Sequence, residues 1–88
     1  MKPRTVIITG GGQGIGRVLA RRFLDMGYRV AILEKDIEAG KEAEDKLGAG
    51  QSLRFIPCDV SKEEEVREAV VTTLKAFQSI DVLINNAA

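Results

Sequence analysis

Four short apolar runs, and the distances between them, restrict the fold of this chain more than any other feature. They are Thr5–Thr9 (TVIIT), Arg29–Leu33 (RVAIL), Ser52–Pro57 (SLRFIP) and Asp81–Asn85 (DVLIN). Each concentrates Val, Ile or Leu without strict apolar–polar alternation, the pattern of strands buried on both faces of a parallel sheet. Their starts lie 24, 23 and 29 residues apart. Such gaps are too long for hairpins and suit crossover helices between parallel strands.

The intervening segments read as helices. Ile15, Val18, Leu19, Phe23 and Met26 fall on one helical face, with Arg17, Arg21 and Asp25 elsewhere, and Gly27 is placed to end the helix in a left-handed conformation. A second helix is expected over Asp36–Leu47, with Asp36 as N-cap, Gly48 as stop and a thin stripe of Ile37, Gly40, Ala43 and Leu47. A third starts at Ser61, where Ser61 and Glu64 have capping-box spacing; Val66, Ala69, Val70, Thr73, Leu74 and Phe77 form its inner face. Parallel connections are overwhelmingly right-handed, so two crossovers one way and one the other predict the strand order 3-2-1-4. The expected class is α/β, a Rossmann-type three-layer sandwich forming the first half of a doubly wound fold.

Directly after the first strand, Gly10-Gly11-Gly12-Gln13-Gly14-Ile15-Gly16 places five glycines in seven positions before a helix. An anion such as a pyrophosphate is attracted to the free amides and dipole of a helix N-terminus, and side chains on the turn would hold it away. Glycine also permits the positive φ angles of a tight strand-to-helix turn, and Gly16 lets the helix approach the sheet. The G-x-G-x-x-G fingerprint fails, because Ile15 stands at its third glycine; the spacing present is Gly10-x-x-x-Gly14-x-Gly16. No Lys lies in the turn, so the phosphate loop of nucleoside triphosphatases is excluded.

Composition removes several other functions. The 13 basic and 13 acidic residues cancel, leaving no electrostatic footprint for nucleic acid or an anionic membrane. Without His, a Ser-His-Asp triad cannot form, and with one Cys neither a zinc site of the Cys/His type nor a disulfide framework is expected. The apolar runs are too short to span a bilayer. Met1-Lys2-Pro3-Arg4 runs straight into the first strand rather than into a signal-like segment, so a cytoplasmic location is expected.

The turn Thr9-Gly10-x-x-x-Gly14-Ile15-Gly16, followed in order by Glu34, Cys58-Asp59-Val60-Ser61 and Asn85-Asn86-Ala87-Ala88, resembles the short-chain dehydrogenase/reductase family over essentially all 88 residues. Ala88 departs from the glycine usual in the last element. The resemblance implies an NAD(P)-dependent oxidoreductase that moves hydride between a nicotinamide and a small alcohol or carbonyl substrate. The implied cofactor-binding residues are Gly10, Gly12, Gln13, Gly14, Ile15, Gly16, Glu34, Lys35, Asp59, Val60, Asn86 and Ala87.

Within that frame, Glu34 accepts from the adenosine ribose hydroxyls and repels a 2′-phosphate; the competing reading is a solvated acid at a strand end. Lys35 offers a phosphate a cation. Gln13 stands where NADP-preferring members carry a basic residue, so NAD is favoured over NADP. Asp59 and Val60 belong beside the adenine, although Asp59 also suits a helix start. Asn86 braces the sheet and touches the cofactor, Thr9 ties the glycine turn to it, and Cys58 reads as a small buried hydrophobe; Arg17, Arg21 and Arg22 read as a solvated helix face, with Arg17 in the first turn also within reach of a phosphate.

The family's catalytic Ser and Tyr-x-x-x-Lys have no counterpart here: the only tyrosine, Tyr28, has Ile32 four residues on. The expectation is therefore an NAD(P)-binding half-domain over residues 1–88, the N-terminal part of a longer single-domain enzyme, inactive alone. The full-length protein is expected to be a homo-oligomer. The alternative is a stand-alone nucleotide-binding module without catalysis, and the mass of the intact protein separates the two.

Overall fold

The computed structural model describes residues 2–87. Strand β1 (Thr5–Thr9) is followed by helix α1 (Gly14–Asp25), β2 (Arg29–Glu34), α2 (Ile37–Leu47), a single 3-10 turn (Gly50–Ser52), β3 (Leu53–Pro57), α3 (Glu63–Phe77) and β4 (Val82–Asn85). The strands form one parallel sheet in the order β3-β2-β1-β4, as the crossover rule requires. Thr9 aligns with Leu33 on one side and with Asn85 on the other, so the carboxyl ends of these strands open together at one edge of the sheet.

The two central strands are buried along nearly their whole length. Their alternate side chains supply two cores. Val6, Ile8, Val30 and Ile32 pack under α1 and α2 with Ala20, Ala43 and Leu47. Ile7, Ala31 and Leu33 pack under α3 with Ala69 and Phe77. Each fully buried aliphatic side chain contributes about 1.5–3 kcal/mol through removal from water. The expectation of burial on both faces fails for β3 and β4. These strands flank the pair, and Arg54, Pro57 and Leu83 are exposed. A carboxylate covers part of the β3 edge: Glu44 Oε2 accepts from the Phe55 amide at 3.4 Å.

The C-terminus of α1 and both ends of α2 follow local chemistry, whereas the start of α3 does not. α1 closes in a Schellman arrangement: Gly27 has φ +88, its amide donates to the Leu24 carbonyl and that of Tyr28 to the Phe23 carbonyl, both at 3.0 Å. Asp36 caps α2 by accepting from the Ala39 amide, and Gly48 ends that helix in the left-handed region. The capping box expected at Ser61 and Glu64 does not form. α3 starts one residue later, with Lys62 rather than Ser61 at the N-cap, because Asp59 takes the Ser61 amide and hydroxyl for itself.

The inner faces of the helices also depart from the sequence reading. Ile15, Val18 and Met26 are 72%, 59% and 62% exposed, and α1 meets the sheet through Gly16, Leu19, Ala20 and Phe23. A side chain at position 16 would place its Cβ 2.3 Å from the Gly10 carbonyl oxygen and 2.8 Å from Gly11 Cα. The glycine must face the turn, and that orientation rotates the three larger residues outward. In α2, Gly40, Ala43 and Leu47 are buried but Ile37 is exposed. In α3, Ala69, Thr73 and Phe77 are buried, whereas Leu74 is exposed.

Gly16→Ala is therefore expected to destabilise the protein by about 1–3 kcal/mol despite alanine's better helix propensity, because the clash is with backbone. Urea denaturation checks this; an unchanged or raised midpoint would remove the packing argument.

Candidate functional site

Every strand ends in a residue that reaches one cleft. Gly10 follows β1, Leu33 and Glu34 finish β2, Cys58 follows β3, and Asn86 and Ala87 follow β4; Gln13, Lys35, Asp59, Val60 and Ser61 complete the lining of a space of about 500 Å³. It lies beside the position where strand order reverses, between β1 and β4, which is where open α/β sheets leave a crevice for ligands.

The glycine turn is held from two sides. The Thr9 hydroxyl accepts from the Asn86 amide at 2.9 Å and the Ala87 amide at 3.1 Å, and donates to Asn85 Oδ1. Asn86 Nδ2 donates to the Gly10 carbonyl at 3.3 Å. Thr9 and Asn86 thus stitch β4 to the turn, as expected from the sequence. Gly10 takes φ +67 with the Ala87 backbone against it, and Gly14 takes φ +57 with open space where a side chain would project. Gln13 precedes α1 in extended backbone and makes no side-chain cap, and no acidic residue lies in the first turn. The N-terminal amides and the positive dipole end of this helix are left without a protein anion.

Glu34 is the buried acid of the cleft, 7% exposed. Its Oε1 accepts from the Gly12 amide and its Oε2 from the Asp36 amide, each at 3.2 Å. An ionised carboxylate has about four acceptor positions, so two bonds leave capacity for further donors. Asp59 sits across the cleft. Its Oδ1 accepts from the Ser61 hydroxyl at 2.7 Å and the Ser61 amide at 3.0 Å, while its own amide donates to Glu65. Those Ser61 bonds, with help from Lys35 and Lys62, hold the Asp59 carboxyl below its ordinary value of 3.8. Burial, together with the charges of Glu65 and Asp59, raises the Cys58 thiol above its ordinary value. Cys58 remains a small buried residue that happens to form part of the wall.

Of the twelve residues expected at a cofactor, Gly10, Gln13, Glu34, Lys35, Asp59, Val60, Asn86 and Ala87 line the cleft. Gly12, Gly14, Ile15 and Gly16 do not line it. Gly12 lies behind Glu34, Gly16 packs on Gly10 and Asn86, Gly14 faces open space and Ile15 projects outward at the start of α1. Arg17 is not turned toward the phosphate position expected from the sequence. Its Nε and Nη2 grip the Gly12 carbonyl, and Nη2 also meets Glu42. Leu33, Cys58 and Ser61 were not anticipated as lining; the Asp-x-Ser spacing of an Asx turn signals the last of these.

A glycine turn that reaches the crevice at Gly10 and Gln13, a helix that starts directly after Gln13, and an acid at the end of the second strand define a dinucleotide-binding module of the Rossmann class. A family model described as short chain dehydrogenase matches residues 4–88. The chain belongs to the short-chain dehydrogenase family.

It is 40% identical to an uncharacterized oxidoreductase of Thermotoga maritima over 89 residues, covering 100% of this chain and 35% of that protein. It is also 40% identical to the L-fucose dehydrogenase of Bos taurus over 84 residues, covering 96% of this chain and 30% of that protein. Among solved structures, a short chain dehydrogenase from Bacillus anthracis superimposes with a TM-score of 0.92 at 34% identity, over 97% of this chain and 34% of that one. The 3-ketoacyl-(acyl-carrier-protein) reductase of Brucella melitensis, complexed with NADH, gives 0.86 at 30% identity, over 93% and 33%. The chain thus spans about a third of the length of these relatives.

The Asp59 network has a titration signature. Because the carboxyl is held low, its contribution to stability is present above 3.8 and is lost as pH falls through the still lower value of the folded protein. Ser61→Ala is expected to move the Asp59 titration upward, read from its side-chain carboxyl resonance by NMR. An unmoved midpoint would show that Ser61 does not hold the charge.

Proposed function

We propose that residues 1–88 are the cofactor-binding part of an NAD-dependent oxidoreductase acting on a small alcohol or carbonyl compound. They would form the N-terminal part of a longer single-domain enzyme that assembles as a homo-oligomer. The observation that carries the cofactor choice is Glu34, a buried acid at the end of β2 whose two oxygens are fixed by backbone amides with acceptor capacity to spare.

The donor set suits a dinucleotide. The amides of Gly14, Ile15 and Gly16 and the uncapped end of α1 would meet the pyrophosphate. Glu34 would accept from both adenosine ribose hydroxyls, and its charge opposes a 2′-phosphate there. Asp59 and the Val60 amide flank the position suited to an adenine, while Asn86 and Ala87 border the far end of the cleft. Lys35 lies in the same lining and lowers the Asp59 carboxyl, so part of its field is already directed at an acid. Neutral Gln13 adds no cation for a 2′-phosphate.

When bound, a nicotinamide supplies the hydride acceptor or donor for the substrate carbon. The residues lining the cleft would bind and orient the cofactor. Tyr28 precedes β2, at the end of the sheet away from the cleft, and packs edge-on against Phe23 with ring centroids 4.9 Å apart. The general acid–base chemistry of such a reaction would come from residues beyond these 88.

Glu34→Ala in the complete polypeptide is expected to weaken NADH binding roughly tenfold or more while NADPH binding holds or improves, since two bonds to a charged acceptor are lost. Fluorescence of the bound reduced cofactors measures both affinities. A variant that kept the native preference would remove Glu34 as the selector.

A further inference from the structure

Glu34 is held by a circuit of hydrogen bonds that begins and ends on α2. Glu42 accepts from Arg17 Nη2 at 3.2 Å. Arg17 grips the Gly12 carbonyl through Nε at 3.1 Å and Nη2 at 2.8 Å. The Gly12 amide donates to Glu34 Oε1, and Glu34 Oε2 accepts from the Asp36 amide. Asp36 then caps α2, and Glu42 stands on the same helix with Lys46 at 3.4 Å. Arg17 and Lys46 keep the Glu42 carboxyl below its ordinary value, as a stable terminus of the circuit requires.

Gly12 is the weak point of this arrangement. It has no side chain to anchor it, and it is flanked by Gly10 and Gly14, both at positive φ. It cannot acquire an anchor either. A Cβ there would lie 2.8 Å from Glu34 Cγ, 2.9 Å from Oε1 and 3.1 Å from the Ala39 carbonyl carbon. The Gly12 N–H belongs to the Gly11–Gly12 peptide and its carbonyl to the Gly12–Gln13 peptide, so this residue is held at both ends, by Glu34 at the N–H and by Arg17 at the carbonyl. Arg17 does this with two donors of one rigid fork, leaving Nη2 shared with Glu42. A lysine, with a single ammonium on a flexible stem, cannot reproduce that grip.

We propose that Arg17 is a positioning residue for cofactor selection. By anchoring the Gly12 carbonyl it restricts the rotation of the Gly12 backbone, whose N–H holds Glu34 Oε1, and so limits the directions in which the remaining acceptor positions face the ribose. The inference rests on the reading that Glu34 meets the adenosine ribose, and it assigns Arg17 no contact with phosphate or substrate.

The test is the ratio of NADH to NADPH affinity, measured by cofactor fluorescence on the complete polypeptide and on Arg17→Ala, Arg17→Lys, Glu34→Ala and the Arg17→Ala/Glu34→Ala pair. Arg17→Ala is expected to lower the ratio roughly fivefold or more, with the loss falling on NADH. Arg17→Lys should recover less than the full native ratio, and it serves as the variant to read if Arg17→Ala fails to fold. In the Glu34→Ala background, removing Arg17 should leave the ratio where it was. Equal weakening of both cofactors by Arg17→Ala, or an unchanged ratio in Arg17→Lys, would overturn the positioning role. If Glu34→Ala itself left the ratio unchanged, the ribose reading would fail and this inference with it. If Glu34→Ala shifted the ratio and Arg17→Ala did not, this inference alone would fail.

Discussion

The approach of α1 to the turn that precedes it is the constraint on which the site depends. Gly16 stands where any side chain would run into the Gly10 carbonyl and the Gly11 backbone. With that contact in place, α1 starts within five residues of the end of β1, and its N-terminus has no side-chain cap. Thr9 and Asn86 fix the same turn from the other side through β4. Packing, not propensity, sets this geometry: a run of five glycines in seven residues is a poor helix start, and the sheet and its neighbours hold it in position.

The electrostatics follow from the same placement. α2 and α3 carry acids in their first turns, and α2 has a side-chain cap, so their dipoles are answered within the chain. α1 has neither. The acids that do reach the cleft, Glu34 and Asp59, stand at the ends of β2 and just past β3, and each is held by backbone amides. The crevice therefore offers donors near β1 and acceptors further along the sheet, a polarity that suits a ligand with an anionic centre and a hydroxyl-bearing arm. A broader depression, of about 640 Å³, lies at the opposite end of the sheet. It is lined by Arg29, Arg54 and Phe77 among others, and no residue of an α-helix N-terminus lines it.

The architecture was largely legible in the amino-acid sequence because strand spacing and crossover handedness leave few topologies. Eight of the twelve expected site residues, Asn86 among them, line one cleft, and Thr9 ties the glycine turn to β4 as the motif order implied. What was not legible depended on competition between neighbours. Helical periodicity identified α1 and placed Leu19 and Phe23 on its inner face, but added Ile15, Val18 and Met26, where the small residues Gly16 and Ala20 make the fully buried contact. Ser61 had the spacing of a capping box, yet Asp59 two residues earlier offered a closer partner. Arg17 reads in the sequence as part of a solvated helix face with a first-turn position open to a phosphate. The carbonyl of Gly12 and the carboxylate of Glu42, 25 residues away in sequence, hold it elsewhere.

The central claim is that this crevice, and not the depression at the other end of the strands, holds a dinucleotide through the α1 amides and Glu34. Amide-resolved NMR of the isotopically labelled protein during titration with NADH addresses it directly. The account predicts saturable shifts at Gly14, Ile15, Gly16, Glu34, Val60 and Ala87, with Arg29, Gln51 and Arg54 unmoved. Shifts confined to the second group, or no saturable shift in the first, would contradict it.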